Sequence, residues 1–428
     1  MRKASVDRFP ADARRAAVLG ELHARPFPLI KPPRVLVVLA FIIEDHGESD
    51  LAVLSELSLR QGVPPPAEGA RTHAFVFGKG KLRWERHTEF STYSWDGPPP
   101  AHFGAALDGH PFGSGFRAPG PFIAGARLEL RPDDAAGQAA IESFDKTSFC
   151  FSTMEGGLAR AATDFRQDGD GLTRMLVLAD DLPPPRAGAL AMRLVEIEIY
   201  RTLALLGLPL AQSVGPAIQS LESQLMTITE EMTTGSEDSR DLLQEITLAA
   251  AQVEASAAAV LYRFGASRAY DEIVRERLGA VGEQPILGQE SWSAFLKRRM
   301  GPAMRTCRAV EERQASLSEK LSRAANLLRT RIDVELEHQN RDLLASMDRR
   351  ARLQLRLQQT VEGLSVAAIG YYVVSLFGYV AKALEHEGLP ISATVLTALF
   401  VPVALLLVWL VVRRLHVTHL KGSGEDGH

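Results

Sequence analysis

The sequence predicts an α/β N-terminal cytoplasmic domain, followed by a long α-helical stalk and a C-terminal two-helix transmembrane hairpin. Three observations lead there. A continuous apolar run, "RVLVVLAFII", with strand-like and helix-like segments around it, marks the first part of the chain. From the "LPPPRAG" punctuation at 182–188 onward the pattern is almost entirely helical. Near the end, Val361–Leu384 and Ala393–Val412 are two apolar runs, each close to the ~20 residues a helix needs to cross a bilayer.

Composition sets the bounds. A chain of 428 residues with 46% hydrophobic and 23% charged residues has room for two or three domains and a sizeable core. A formal net charge of -4 argues against nucleic acid as a partner. The two cysteines, Cys150 and Cys307, lie far apart in apolar or helical contexts, which argues against a disulfide framework and fits a reducing compartment. "MRKASVDRFPADARRAAVLG" carries basic residues but no apolar stretch of the signal-peptide kind.

Residues 1–182 read as the mixed α/β domain. "ADARRAAVLGELHA" has helical periodicity, and "RVLVVLAFII" suits a central strand. "SDLAVLSELSLRQ" repeats leucine at helical spacing behind a cap at Ser49 or Asp50. "THAFVF" and "KLRWERHTEFSTYSW" are further strands, the second containing a turn or bending into its neighbour. The segment Asp96–Phe122 is rich in Gly and Pro, and an irregular excursion of this length is usually functional or mobile. "GARLELRP", "SFCFSTMEG" and "LARAATDFRQ" continue the sheet, and "DGDG" at 168–171 turns a hairpin into "LTRMLVLAD".

Residues 186–360 read as a helical, coiled-coil-like stalk with helices over roughly 186–206, 216–233, 237–280 and 302 onward. Gly301 and Pro302 suit the start of the last one. Leu321, Ile332 and Leu343 recur at eleven residues, a repeat that favours nearly straight packing. About 60 residues of such helix would reach roughly 90 Å. Gln339 and Asn340 interrupt the apolar seam, where they either fix register between subunits or face water.

The two spans, 361–384 and 393–412, are joined by "EHEGLPIS", and 413–428 form a basic, then flexible tail. Arg349, Arg350, Arg352 and Arg356 precede the first span, and Arg413, Arg414 and Lys421 follow the second. By the positive-inside rule both termini are expected on the cytoplasmic side, with the short loop carrying Glu385 and Glu387 outside. The membrane bilayer is thus an expected partner.

Recognised catalytic patterns are missing. No G-x-S-x-G, H-E-x-x-H or C-x-x-C is present, and neither "FGKGK" nor "GSGFRAPG" has the spacing of a phosphate-binding or dinucleotide loop. Weaker constellations remain. Period-two alternation in "RWERHTEF" would place Glu85, His87 and Glu89 on one face, where two carboxylates and an imidazole suit a divalent cation or acid–base work. The competing reading is a solvated face with cross-strand ion pairs. "EDHGE" adds Glu44, Asp45 and His46 at the end of the first strand, either a ligand cluster or a polar loop. In "ELHARPFPLIKPP", His23 and Arg25 close a short helix before a series of prolines; this reads as a hinge in which the two residues anchor a domain contact.

Within the first span, Ala368, Tyr372, Ser375, Tyr379 and Lys382 fall on one stripe, while Gly363, Ala367, Gly370, Gly378 and Ala381 form a small-residue face. The stripe lines a pore in a homo-oligomer, or packs between helices.

"ELHARPF", "LRWERHTEFSTYSW" and "RLQLRLQQTVEGLSVAAIGYYVVSLFGYVAKAL" closely resemble an uncharacterised bacterial family of membrane-anchored proteins, domain of unknown function 3422. The resemblance covers nearly the whole chain and implies placement in a bacterial inner membrane, but no activity. In layout the chain also resembles the CorA-type metal-ion transporters, which implies a homo-oligomer with the first span around a pore. Their Gly-Met-Asn filter motif is absent where this chain reads "FGYVAKALEHEG". The resulting expectation is an oligomer that moves or senses an ion. The alternative is a non-conducting membrane-anchored scaffold or sensor whose α/β domain binds a ligand or a cytoplasmic partner. No cofactor is implied beyond the candidate divalent cation.

Overall fold

The computed structural model describes residues 27–67, 69–235, 238–386 and 392–422, together with Asp12, Arg14, Arg15 and Leu19. Two compact units divide the chain between Asn326 and Leu327.

The first unit is built on a sheet of nine strands among the described residues, in the order β2-β3-β4-β1-β5-β8-β7-β6-β9. They are β1 (Arg34–Ile42), β2 (Thr72–Phe77), β3 (Gly80–Arg86), β4 (Phe90–Gly97), β5 (Phe122–Arg131), β6 (Cys150–Met154), β7 (Ala159–Gln167), β8 (Thr173–Leu178) and β9 (Gln284–Pro285). The apolar run forms an interior strand, fourth in that order, as its composition predicts. Its two neighbours, β4 and β5, are both antiparallel to it, and the β5–β8 pair runs parallel.

β1 is apolar from Val35 to Ile42 because both of its faces are covered. Leu36 and Val38 share one face with Leu128 and Val177, packed on Leu190, Leu194 and Ile197 of α3 (Pro184–Leu205). Val35, Val37 and Leu39 face the other way, with Trp84, Tyr93 and Trp95, toward Leu54 and Leu57 of α1 (Glu48–Arg60). Burial of this kind contributes ~25 cal/mol per Å² of apolar surface. A short helix, α2 (Ala135–Ala140), starts on Asp134, whose side chain accepts from the Gly137 amide.

The start of α1 differs from the expected cap. Asp45, three residues before the helix, accepts from the amides of Gly47 (3.1 Å) and Ser49 (2.8 Å). Asp50 is instead buried, accepting from Trp84 Nε1 (3.2 Å), Ser91 Oγ (2.7 Å) and the Tyr93 hydroxyl (2.7 Å). Three donors around one sealed carboxylate tie α1 to β3 and β4.

The helical region set apart at 186–360 is not separate from the sheet over its first part. α3 lies on the sheet, and α4 (Gly207–Thr234) and α5 (Ser239–Ala280) follow it within the same unit. The last long helix, α6 (Trp292–His386), begins ten residues earlier than Pro302 suggests. Glu283 explains the earlier start: its carboxylate accepts from the amides of Trp292 (2.7 Å) and Ser293 (3.0 Å). Trp292 and Leu296 are buried in the sheet core, so packing outweighs the backbone bond that proline removes inside the helix. Cys150 and Cys307 are free and buried; burial, with Glu290 and Glu283 nearby, pushes the Cys150 thiol up to about 12.

In the second unit, which holds Leu327–His386 of α6, the end of that helix packs on α7 (Ala393–Gly422). A Cβ on Gly370 would meet Leu405 at 3.6 Å, one on Gly378 would meet Thr397 at 3.6 Å, and Phe377 stacks on Phe400 at 3.8 Å. The small-residue face thus brings the two helices together at Gly370, Gly378 and Ala381. Both helices are long and apolar enough to cross a membrane, by length and composition.

Candidate functional site

The Gly/Pro-rich stretch between β4 and β5 is irregular, and specific bonds hold it over the sheet. β5 reads "ARLELR" at 126–131, so alternation places Arg127, Glu129 and Arg131 on the face shared with Val35 and Val37. Glu129 is fully buried, and the side chains of Arg127 and Arg131 are 7% and 14% exposed. Arg127 donates to Glu129 Oε1 from Nε (3.1 Å) and Nη2 (2.8 Å), and Arg131 Nε donates to Oε2 (2.8 Å).

The same three side chains then grip the irregular segment. Arg127 Nη2 donates to the Ala105 carbonyl (2.5 Å), Arg131 Nη2 donates to the Pro100 carbonyl (2.8 Å), and the Gly104 amide donates to Glu129 Oε1 (3.0 Å). A segment without a regular ladder still has polar groups to satisfy. Here a buried ionic cluster supplies partners at residues 100, 104 and 105.

Beyond this staple, a cavity of about 400 Å³ opens between segment and sheet. Val37, Leu39, Phe41 and Leu172 line it from the sheet side, and Leu107, Phe112, Phe116 and Phe122 complete the apolar wall. Phe116 lies 5.9 Å from Phe41 and 5.8 Å from Tyr93, ring to ring, which anchors the far end of the segment. The polar groups are few: Arg127, His110, Ser114 and Asp170. His110 accepts at Nδ1 from the Phe112 amide (3.2 Å), which leaves the proton of the neutral ring on Nε2. Burial lowers its pKa and Arg127 adds to that, against the carboxylates of Asp170 and Asp108. A recess of this size, with apolar side chains on its floor and a few convergent polar groups, has the form of a small-molecule site.

The residues singled out from sequence lie elsewhere. β3 ends at Arg86 and β4 begins at Phe90, so His87 and Glu89 occupy the turn and the single alternating face in "RWERHTEF" does not form. His87 stacks on Phe90 at 4.2 Å and lines, with Glu85, a recess of only about 30 Å³. Glu89 pairs with Arg263 of α5 and accepts from the Tyr262 hydroxyl (3.4 Å). Burial pushes the Glu89 carboxyl up, but the bonds from Arg263 and Tyr270 win and hold it below its ordinary range. Glu44 and His46 are exposed, Asp45 caps α1, and the His46 carbonyl accepts from Arg86 Nη1 (3.1 Å). Among the described residues, no group of three or more His, Cys, Asp or Glu side chains comes together as a metal-ligand set.

In the second unit, Ala368, Tyr372, Tyr379 and Lys382 are exposed and Ser375 is half-buried. Glu385 lies in the last turn of α6, and its carboxylate accepts from the Ala393 amide at the start of α7 (3.0 Å). His23, Arg25 and Glu387 lie outside the described residues.

Sequence reasoning flagged the Gly/Pro segment but missed Arg127, Glu129, Arg131 and His110. The available signal was the pattern Arg-x-Glu-x-Arg within an otherwise apolar strand, which places three charges on one face of that strand.

Fold and cavity together define an α/β domain with a recess of mixed polar and apolar lining, in a chain that also carries two long apolar helices. A family model described as "Protein of unknown function (DUF3422)" matches residues 10–419, and the chain belongs to that family. No curated protein matches it.

Proposed function

We propose that this chain is a membrane-anchored sensor, not an enzyme, whose α/β domain binds a small molecule in the cavity beneath the Gly/Pro-rich segment. The observation that carries this reading is the cavity itself: about 400 Å³, with apolar side chains on its floor and Arg127, His110, Ser114 and Asp170 as its polar groups. The two C-terminal apolar helices are the anchor. Arginines 349, 350, 352 and 356 before the first span support a cytoplasmic position for the sheet domain at a bacterial inner membrane.

Native mass spectrometry of the full chain taken from its own membrane tests the binding. A small-molecule adduct on the wild type, lost in Ala118→Trp at the exposed cavity rim, is expected. An adduct that persists in the filled variant would place the ligand elsewhere. Topology is tested by Glu385→Cys, expected to label from outside intact cells, and Asp348→Cys, expected to label only after lysis.

A second reading, an ion path lined by the first span in an oligomer of CorA-like layout, draws support from one observation. Gly370, Gly378 and Ala381 serve the contact with α7, and Tyr372 and Tyr379 are left 67% and 72% exposed, available to neighbouring copies. Ion flux into proteoliposomes that falls on Tyr379→Ala would favour it; no flux above empty vesicles would remove it.

A further inference from the structure

We propose that the molecule taken by this cavity is a small apolar monocarboxylate, its carboxylate held by Arg127 and its body lying along Val37, Leu39, Phe41 and Leu172. The inference rests on reading the cavity as a ligand site and adds the chemical class of the ligand.

Arg127 and Arg131 share a single carboxylate, Glu129, one on each oxygen. Their remaining partners are the carbonyls of Ala105 and Pro100, which carry no formal charge. The cluster therefore holds two positive charges against one negative charge, and all three side chains are at most 14% exposed. Asp170, on the exposed side of the same cavity, makes no ion pair with either arginine, so a carboxylate on Arg127 would balance the cluster's remaining charge.

Geometry says which guanidinium receives it. Arg127, not Arg131, lines the cavity. Its Nε and Nη2 are used by Glu129 and Ala105, and its Nη1 makes no hydrogen bond among the described residues. Guanidinium-to-carboxylate bonds are among the stronger hydrogen bonds available in a protein. His110 offers a second donor, because its Nδ1 already accepts from Phe112 and the proton sits on Nε2.

Asp170 narrows the class. It lines the same cavity, so a second carboxylate or a doubly charged phosphate would meet a like charge there. Phe112 and Phe116, with Val37, Leu39, Phe41 and Leu172, leave an apolar body as the fitting remainder.

The test compares 3-phenylpropanoate with 3-phenylpropan-1-ol, nearly equal in shape and different in head group, by titration calorimetry on the full chain in lipid nanodiscs. Empty nanodiscs and the Ala118→Trp variant serve as blanks. The expected result is at least tenfold tighter binding of the carboxylate, with that preference gone in Arg127→Met. Equal binding of acid and alcohol, both blocked in Ala118→Trp, would leave the cavity as a ligand site and overturn the carboxylate assignment. Binding of neither probe up to 10 mM would overturn both. The head-group comparison on wild-type protein stands even where Arg127→Met does not fold.

Discussion

Replacing Glu129 by alanine should loosen the Gly/Pro-rich segment and weaken the whole first unit. In the wild type its carboxylate receives bonds from Arg127, Arg131 and the Gly104 amide, at 2.8 to 3.1 Å, and is fully buried. Truncation leaves two guanidinium groups sealed in without their counter-charge. Breaking a buried pair in this way costs about 3–5 kcal/mol. For a unit of this size, roughly 2 °C of melting temperature is lost per kcal/mol, so Glu129→Ala should melt about 6–10 °C lower. Glu129→Gln keeps the shape and one acceptor and should fall between the two. Melting is followed by the fluorescence of Trp84 and Trp95, both fully buried on the face that the segment helps to cover. Loosening is read by trypsin at Arg117, an exposed residue of the segment. Faster cleavage there should accompany the lower melting temperature, at matched degrees of folding. A loss below 1 kcal/mol with unchanged cleavage at Arg117 would refute the idea that the ionic cluster holds the roof of the cavity.

Further predictions concern other parts of the first unit. Asp50→Ala deprives Trp84, Ser91 and Tyr93 of their shared acceptor; a loss of about 3 kcal/mol or more is expected by urea unfolding, since each stranded buried donor costs roughly 1–3 kcal/mol. Gly188→Ala puts a Cβ 1.6 Å from the Pro28 carbonyl oxygen. The segment Phe27–Ile30 should then shift off α3, seen as faster exchange of the Ile30 amide that now bonds to Pro184 O (3.1 Å). His73 and His110 both titrate below the ordinary value of 6.5, chiefly through burial. The unfolded chain therefore takes up protons first as pH falls through 6.5, so stability should drop below that pH and level off under the folded-state values. Melting temperatures from pH 8 to 5 check this, and a rise on acidification would contradict it. Glu89, held low by Arg263, contributes in a separate and more acidic window, below its ordinary 4.5.

Much of the layout was legible because single physical rules dominate there. The apolar stretch of β1 from Val35 to Ile42 has to be covered on both faces, and the two apolar runs near the end are too long and too uncharged for ordinary loops. Where two rules compete, local reading lost. Pro302 signals a helix start, yet Glu283 and the buried Trp292 begin the helix earlier. Asp50 has the composition of a cap, yet the donors that claim it come from β3 and β4, more than thirty residues away. "RWERHTEF" alternates as a strand should, but the chain reverses at His87–Glu89 and sends Glu89 to Arg263 on α5. The cavity was the least legible part. Its wall joins β1, the 107–118 segment and Asp170–Leu172, contacts that only the strand order creates.

Hydrogen–deuterium exchange of the full chain in nanodiscs, with and without saturating 3-phenylpropanoate, tests the central claim most directly. The account predicts slower exchange of amides within 104–118, including Gly104, Phe112 and Phe116, with α4 and α5 unchanged. Exchange that is unaltered across that segment, or slowed only in the helices, would contradict the placement of the ligand site beneath it.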